Sequence, residues 1–152
     1  MTGADMGEFL ETTHDKFIFK VKTGYLYSKE DLWVRIDDGT ATIGVTDFLQ
    51  KSQGDVTFLE ILESGTVVKR GQELGKIETI KAIYDIISPV SGIIVEVNSE
   101  MDANSYLINQ DPYGAGWICK IELSDWEGDR KELLQDSDYF EIMREKIAKE
   151  AR

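Results

Sequence analysis

Short apolar runs separated by turn residues make up most of the chain between residues 17 and 123. The runs are rich in Val, Ile, Thr, Tyr, Phe and Trp, and glycine, proline or aspartate interrupts them at intervals. This pattern predicts short β-strands arranged as a sandwich or a flattened barrel. We expect the strands at 33–36, 41–45, 55–62, 65–68, 76–80, 82–87, 93–97 and 117–123, and 17–21 could add another.

A tight hairpin turn is predicted at Asp37-Asp38-Gly39-Thr40, between the strands at 33–36 and 41–45. Asp-Gly is suited to this position because both residues tolerate the positive φ angles that such a turn requires.

The hydrophobic period changes near the C-terminus. Phe140, Met143 and Ile147 are spaced as neighbours on one face of a helix. Ser137 or Asp138 can cap the start of this helix, and a shorter helix is expected across 125–134. We therefore predict a mainly β body with C-terminal helices from about residue 125.

The length and the charge narrow the class of protein. A chain of 152 residues fits one domain with a real core, and we assign 1–16 to an N-terminal extension and 17–152 to that domain. The 17 basic and 29 acidic residues give a net charge of −12. This charge argues against nucleic acid or an anionic membrane as partner, since both need a basic face. It suits docking on basic patches of larger proteins.

The cysteine content and the N-terminus predict a cytoplasmic protein. Cys119 is the single cysteine, so no internal disulfide can form. The acidic N-terminus lacks the apolar core and basic flank of a secretory signal, and it is not an Arg-rich transit peptide. No apolar run approaches the length of a membrane span.

Lys81 lies between the predicted strands 76–80 and 82–87. Most lysines are solvated surface residues, so a lone lysine proves nothing. If the two strands pair antiparallel, however, a rigid sheet projects this primary amine into solvent, which suits a swinging cofactor. A Schiff-base or general-base lysine instead needs desolvation, and the nearby Glu78 and Asp85 favour the charged amine.

The other candidate residues favour structural roles. By alternation Cys119 shares a face with Trp117 and Ile121, which predicts a small core residue. His14 is the single histidine, and no Cys or His pair has zinc-ligand spacing. The glycines near Gly71 form no phosphate-binding loop. Because no nucleophile–base pair is evident, a stand-alone enzyme is the least favoured hypothesis.

Several short motifs follow one another in fixed order between Tyr25 and Tyr139. They are Tyr27-Ser28-Lys29-Glu30 with Trp33, Ile43-Gly44-Val45-Thr46-Asp47, Gly54-Asp55-Val56, Glu78-Thr79-Ile80-Lys81-Ala82, Asp85-Ile86, Ser88-Pro89-Val90-Ser91-Gly92, Val95-Glu96-Val97-Asn98, Leu107-Ile108-Asn109, Asp111-Pro112-Tyr113-Gly114 and Gly116-Trp117. Their order and spacing resemble those of the H protein family of the glycine cleavage system. Each motif alone is weak, but the combination is specific.

The resemblance implies a lipoyl carrier with lipoic acid covalently attached to Lys81. It implies a flattened β-barrel of two antiparallel sheets, the barrel-sandwich fold of lipoyl domains, in a monomeric protein. The implied partners are glycine decarboxylase, an aminomethyltransferase, dihydrolipoamide dehydrogenase and a lipoate ligase or transferase. Such a carrier shuttles an aminomethyl group and catalyses none of these reactions alone. A biotin carrier is a related alternative, but its lysine is usually flanked by methionines, and here Ile80 and Ala82 stand there.

The chain departs from the family pattern before Trp33. The family's His-Glu is replaced by Asp31 and Leu32, and a second family histidine has no counterpart in 48–52. Asp85 is kept. The resemblance implies a shallow polar cleft that holds the family's aminomethyl-loaded arm. Two such changes in this cleft favour an alternative, an H-like lipoate-binding protein of another pathway. Sulfur oxidation with a heterodisulfide-reductase-like complex is the leading candidate for that pathway. An unmodified adaptor that uses the fold only to bind a partner is a further hypothesis.

Overall fold

The computed structural model describes residues 8–150, and these contain twelve strands, five α-helices and one 3-10 helix. No helix within this range is long and apolar enough to cross a membrane. The strands are β1 (Phe9–His14), β2 (Phe17–Lys22), β3 (Leu26–Tyr27), β4 (Leu32–Asp37), β5 (Thr40–Val45), β6 (Val56–Ile61), β7 (Val67–Val68), β8 (Glu73–Thr79), β9 (Ile83–Ile87), β10 (Gly92–Val97), β11 (Cys119–Leu123) and β12 (Leu134–Gln135). The helices are α1 (Asp47–Gln53), α2 (Met101–Asn104), α3 (Leu107–Gln110), α4 (Trp126–Asp129), the 3-10 helix Arg130–Glu132 and α5 (Asp136–Glu150).

Two antiparallel sheets form the body of the protein. One has seven strands in the order β12-β3-β4-β5-β11-β10-β7, and the other has three in the order β6-β8-β9. A third, two-stranded sheet consists of β1 and β2. The predicted mainly β architecture with antiparallel sheets and C-terminal helices is confirmed, although the sheets do not close into a barrel. The predicted β4–β5 turn is also confirmed, since Asp38 and Gly39 have φ angles of 50° and 82°.

The main core consists of aliphatic side chains from both large sheets. Ile43 and Ile121 come from the seven-stranded sheet, and Ile77 comes from the three-stranded sheet; all three are fully buried. Burial of each such side chain stabilises the fold by about 1.5–3 kcal/mol. Cys119 is fully buried in the same cluster, as alternation predicted.

A second, more aromatic core lies under α5. Tyr27 and Tyr139 stack with their ring centroids 4.6 Å apart and their planes at 9°. Met143 and Ile147 are buried on the same helix, which confirms the predicted apolar face. The predicted cap is wrong, because α5 begins at Asp136 and both Ser137 and Asp138 lie inside its first turn. The shorter helix expected across 125–134 is divided into α4 and the 3-10 helix.

The N-terminal segment is part of a hairpin. β1 pairs antiparallel with β2 in a register that joins Phe9 to Lys22 and His14 to Phe17. Residues 9–14 are therefore a paired strand and not a loosely packed extension. Residues 1–7 lie outside the described range, and the domain boundary at residue 16 stays a prediction.

Candidate functional site

Lys81 lies at the tip of the β8–β9 hairpin. The two strands pair antiparallel, with Glu78 opposite Ile83 at the end of the ladder. Ile80 and Lys81 are the central residues of the turn, and both are exposed. The predicted position of this lysine, on a projecting turn between two paired strands, is confirmed by the geometry. The contacts of its side chain, and not its position alone, bear on whether the lysine is modified.

The turn is fixed by the side chain of Thr79. The hydroxyl oxygen of Thr79 accepts hydrogen bonds from the backbone N–H groups of Lys81 at 3.2 Å and Ala82 at 3.3 Å. The backbone N–H of Thr79 donates to the Ala82 carbonyl at 2.9 Å. Because the backbone at the tip is bound in this way, the amine has a rigid base. Freedom of movement is left to the lysine side chain.

The lysine side chain lies against the C-terminal end of α1. Its Nζ donates to the Ser52 carbonyl at 2.7 Å. The carbonyls of a last helical turn have no partner inside the helix, and a cation is favourable there. Gly54 ends the helix with a φ of 82°, and its N–H donates to the Gln50 carbonyl at 3.0 Å. The end of α1 therefore provides a resting contact for the Lys81 ammonium.

Local signals explain why α1 forms at this place. Thr46 is its N-cap, and the Thr46 hydroxyl accepts from the Leu49 N–H at 3.2 Å. Lys51 and Asp47 form an (i, i+4) ion pair of 2.9 Å, a spacing that places the two side chains on one face of the helix.

Of the two acidic residues near the tip, Asp85 is engaged by a lysine of the adjacent strand. Asp85 binds Lys76 on the adjacent strand at 2.7 Å, and this hydrogen bond lowers the pKa of the Asp85 carboxyl. Hydrogen bonds from Lys76 to Asp85 and Glu73 raise the pKa of the Lys76 ammonium in turn. Glu78 is exposed on β8. The carboxylate of Asp85, which the sequence places near Lys81, therefore forms its ion pair with Lys76.

Lys81 also borders an open groove of about 250 Å³ between the N-terminal hairpin, α1 and α5. The floor of the groove is apolar and the rim is polar. Its lining residues are Phe17, Phe19, Phe48 and Ile147, with His14, Asp15, Lys51, Ser52, Lys81 and Glu150 around them. The exposed amine therefore lies beside a groove with both apolar and polar walls. Sequence reasoning missed this groove, because its walls come from three distant segments.

Asp31 and Leu32 do not form an open cleft. Leu32 is 2% exposed and belongs to the main core. Asp31 is 8% exposed, and its carboxylate lies 2.8 Å from the Tyr139 hydroxyl and 2.9 Å from Lys146 Nζ. The expectation that Asp31 and Leu32 line a cleft is therefore wrong, whereas Phe48 and Ser52, from the segment without the second histidine, do line the groove at Lys81. Both Asp31 and Leu32 instead make contacts inside the protein.

Of the other candidate residues, Cys119 lies away from Lys81 in the core, whereas His14 lines the same groove as Lys81. Burial raises the pKa of the Cys119 thiol to about 12, so this thiol is held neutral in the core. His14 contacts Asp15 at 3.6 Å. Within residues 8–150, no cluster of His, Cys, Asp and Glu is arranged to hold a metal ion.

Comparison with known proteins gives a consistent match over most of the chain. Residues 25–146 match the family model described as glycine cleavage H-protein. A probable glycine cleavage system H protein of Pyrococcus abyssi is 42% identical over 127 residues, which cover 83% of this chain and 94% of that protein. A probable glycine cleavage system H protein of Aeropyrum pernix is 40% identical over 140 residues, covering 92% of this chain and 97% of that protein.

A solved structure agrees with the sequence match. The crystal structure of a glycine cleavage system H protein from Mycobacterium marinum superimposes with a TM-score of 0.70 at 31% identity. The alignment covers 78% of this chain and 95% of that one. The fold, the family model and the relatives lead to one conclusion, and the chain belongs to the glycine cleavage H-protein family.

Proposed function

We propose that this protein is the lipoyl carrier of a glycine cleavage system, with lipoic acid attached to Lys81 through an amide bond. One observation carries the proposal. Within the part of the chain that matches the family, an exposed lysine projects from a turn whose backbone is held by Thr79. This arrangement combines a fixed base with a long side chain whose one hydrogen bond is to the Ser52 carbonyl.

The residues around Lys81 fit an acylated amine. Amide formation removes the positive charge of Nζ but leaves one N–H, which can still donate to the Ser52 carbonyl. The exposed tip also leaves the amine open to an acylating enzyme. When bound, the lipoyl group supplies a disulfide that can accept an aminomethyl group and pass it on. The chain itself contributes attachment, orientation and transport.

The proposal makes the protein a carrier component and not a catalyst. Its partners would be glycine decarboxylase, an aminomethyltransferase, dihydrolipoamide dehydrogenase and a lipoate ligase or transferase, all in the cytoplasm. The net charge of −12 supports docking on basic surfaces of such enzymes. We expect a monomer, because a carrier that visits several enzymes needs the tip of its hairpin free.

The sulfur-oxidation alternative receives no support from the comparisons. It rests on the changes at Asp31 and Leu32 and on the missing second histidine in 48–52, and Asp31 and Leu32 are buried in contacts of their own. No specific observation favours it over the glycine cleavage system.

The test is intact and peptide mass spectrometry of the protein after incubation with a lipoate ligase, and then with glycine and glycine decarboxylase. We expect one lipoyl increment on the Lys81 peptide, followed by an aminomethyl increment. Lys81→Arg should abolish both, while Lys76→Arg on the same hairpin should retain them. Since Lys81 is exposed, the substitution should alter stability by only about 0.5 kcal/mol. Lipoylation of Lys81→Arg would refute the site, and lipoylation without aminomethyl transfer would refute the pathway.

A further inference from the structure

We infer that the edge of β1 that faces away from β2, here called the open edge, is a docking site for an extended, basic segment of a partner protein. The segment would add a third strand to the β1–β2 sheet. The inference goes beyond the proposed function and does not depend on modification of Lys81. Both strands precede residues 25–146, the part of the chain that matches the family model, so the match assigns no role to them.

The register of the hairpin shows which backbone groups of β1 point away from β2. The backbone N–H of Thr23 donates to the Glu8 carbonyl at 2.8 Å, directly beside the paired residues Phe9 and Lys22. In an antiparallel ladder, hydrogen-bonded pairs alternate with pairs that are not hydrogen-bonded. The even-numbered residues of β1 therefore bond to β2, and the backbone groups of its odd-numbered residues point to the open edge.

The contacts on the other side of β2 agree with this assignment. The backbone N–H of Lys20 donates to the Asp47 carboxylate at 3.0 Å, and the Lys20 carbonyl accepts from the Tyr113 hydroxyl at 2.7 Å. The side of β2 that faces away from β1 is thus covered by the body of the protein. On the open edge of β1, the residues whose backbone groups have no hydrogen-bond partner within 8–150 are Phe9, Glu11 and Thr13.

The strand β1 lacks the features with which proteins usually protect such an edge. Those features are very short strands, proline or lysine on the edge, and β-bulges. β1 has six residues without proline or lysine, and its register with β2 is continuous. By contrast, β12 and β7, the edge strands of the seven-stranded sheet, have two residues each. An unprotected edge of this length can accept an extended peptide as an additional strand.

The helix α5 provides a floor beside the open edge. It packs on the buried face of the hairpin, where Phe19 and Val21 share a cluster with Met143. A cavity of about 220 Å³ is lined by Thr12, Thr13 and His14 of β1 and by Arg144, Ile147 and Ala148 of α5. Because successive residues of a strand point to opposite faces, an added strand would place every second side chain over this cavity. Aliphatic side chains fit there, since Ile147 and Ala148 form part of the floor.

The charge at the open edge favours a basic segment. The Glu11 side chain is exposed and, among the residues that the structure describes, it has no ion pair. A lysine or arginine of the partner opposite Glu11 would form a cross-strand pair of opposite charge. The net charge of −12 disfavours a second copy of this chain as the occupant, because the two copies repel each other.

The open edge lies close to the candidate carrier lysine. His14 and Ile147 line both the cavity beside β1 and the groove beside Lys81. A segment bound at β1 would therefore hold its protein next to Lys81. Such a second contact raises the effective concentration of the partner at the lysine, even when the contact is weak by itself.

The experiment is amide hydrogen exchange, followed by NMR, of the full unmodified chain with a synthetic peptide. The probe is acetylated and amidated Thr-Val-Lys-Val-Ile-Val, whose lysine lies opposite Glu11 when the pairing is antiparallel. Without the peptide, Glu11 and Thr13 should exchange fast, whereas Leu10 and Thr12 should exchange slowly. Millimolar peptide should slow exchange at Glu11 and Thr13 about tenfold or more and leave Leu10 and Thr12 unchanged.

Two methylated peptides test the backbone contact without altering the protein. N-methylation of the peptide lysine removes an N–H that faces Glu11, and it should weaken binding about tenfold. N-methylation of the valine that follows is the matched control, because that N–H points away from β1 and binding should be retained. Equal affinities of the two methylated peptides, or unchanged exchange at Glu11 and Thr13 in millimolar peptide, would overturn the inference.

Two variants test the edge from the side of the protein. Thr13→Pro removes an N–H of the open edge and none of the bonds to β2, so it should weaken binding about fivefold. Glu11→Lys should weaken binding of the lysine peptide about fivefold, and a peptide with glutamate in place of that lysine should bind this variant better than the original chain. Slow exchange at Leu10 and Thr12 shows that the hairpin is intact in each variant. Failure of the charge exchange in an intact hairpin would contradict the inference, as would protection of Glu11 that increases with protein concentration alone, because a second copy would then occupy the edge.

Discussion

Replacement of Asp31 by Asn should destabilise the protein through loss of one ionic contact. Asp31 has a φ of 69°, a left-handed conformation that asparagine also tolerates. The asparagine would keep the size of the side chain and an oxygen able to accept from Tyr139. It would lose the negative charge, whose two oxygens each lie 2.9 Å from Lys146 Nζ. The substitution therefore isolates the charge.

The size of the effect follows from the exposure of the two side chains. Hydrogen bonds to charged groups contribute about 1.5–3 kcal/mol when they are shielded. The Asp31 side chain is 12% exposed, but that of Lys146 is 32% exposed, so solvent weakens the contact. We expect a loss near the lower limit, about 1.5 kcal/mol. For a chain of this length, that loss lowers the melting temperature by roughly 3–6 °C.

The assay is urea unfolding followed by tryptophan fluorescence, since Trp33 is fully buried and should report the loss of the core on unfolding. Asp31→Asn, Lys146→Met and the double variant form a cycle, and we expect a coupling of about 1 kcal/mol. Arg144→Met is the matched control on the same helix, α5, because the ion pair of Arg144 with Glu141 is exposed and should contribute below about 0.5 kcal/mol. A coupling under about 0.3 kcal/mol in the Asp31 cycle would refute the reasoning.

Three further predictions concern the core, the thiol and the hairpin. Gly44→Ala places a methyl group against the Trp33 indole, and urea unfolding should show a loss of about 1–3 kcal/mol; an unchanged midpoint would contradict this packing. Because burial raises the pKa of Cys119 to about 12, the native thiol should resist alkylation at pH 8 and react only after unfolding in urea. Carboxyl NMR should give Asp85 a pKa below the usual aspartate value, and Lys76→Gln should raise it again. Since the folded pKa is lowered, the contribution of this pair is present above the unfolded pKa of about 3.9 and is lost as the pH falls through the folded value.

The strands and the place of Lys81 at a hairpin tip could be predicted because their signals are local. Asp38 and Gly39 are residues that favour a tight turn at their own position. The β-branched runs on both sides of Lys81 predict two paired strands with the lysine near the turn between them. Buried Cys119 followed from the alternation along one strand. Each of these inferences needs only residues that are close in sequence.

The surroundings of the lysine could not be predicted in the same way. α1 has only seven residues between two strands, too few for a clear helical period, although Thr46 before it is a recognisable N-cap. Its Ser52 carbonyl meets Lys81 through a backbone oxygen, which leaves no trace in residue identity. The contact of Asp31 with Lys146 joins residues 115 positions apart. Only the fold therefore shows what aspartate does at the position where the family has histidine.

The contacts of α1 connect the N-terminal hairpin, β1–β2, with the surroundings of Lys81. On one side, Asp47 and Lys51 bind the backbone of β2. At its C-terminal end, the same helix receives the Lys81 side chain on the Ser52 carbonyl. The hairpin tip that holds Lys81 is fixed separately, by Thr79 and its neighbours. A change in the N-terminal hairpin should therefore leave the turn at Lys81, and its recognition by an acylating enzyme, intact.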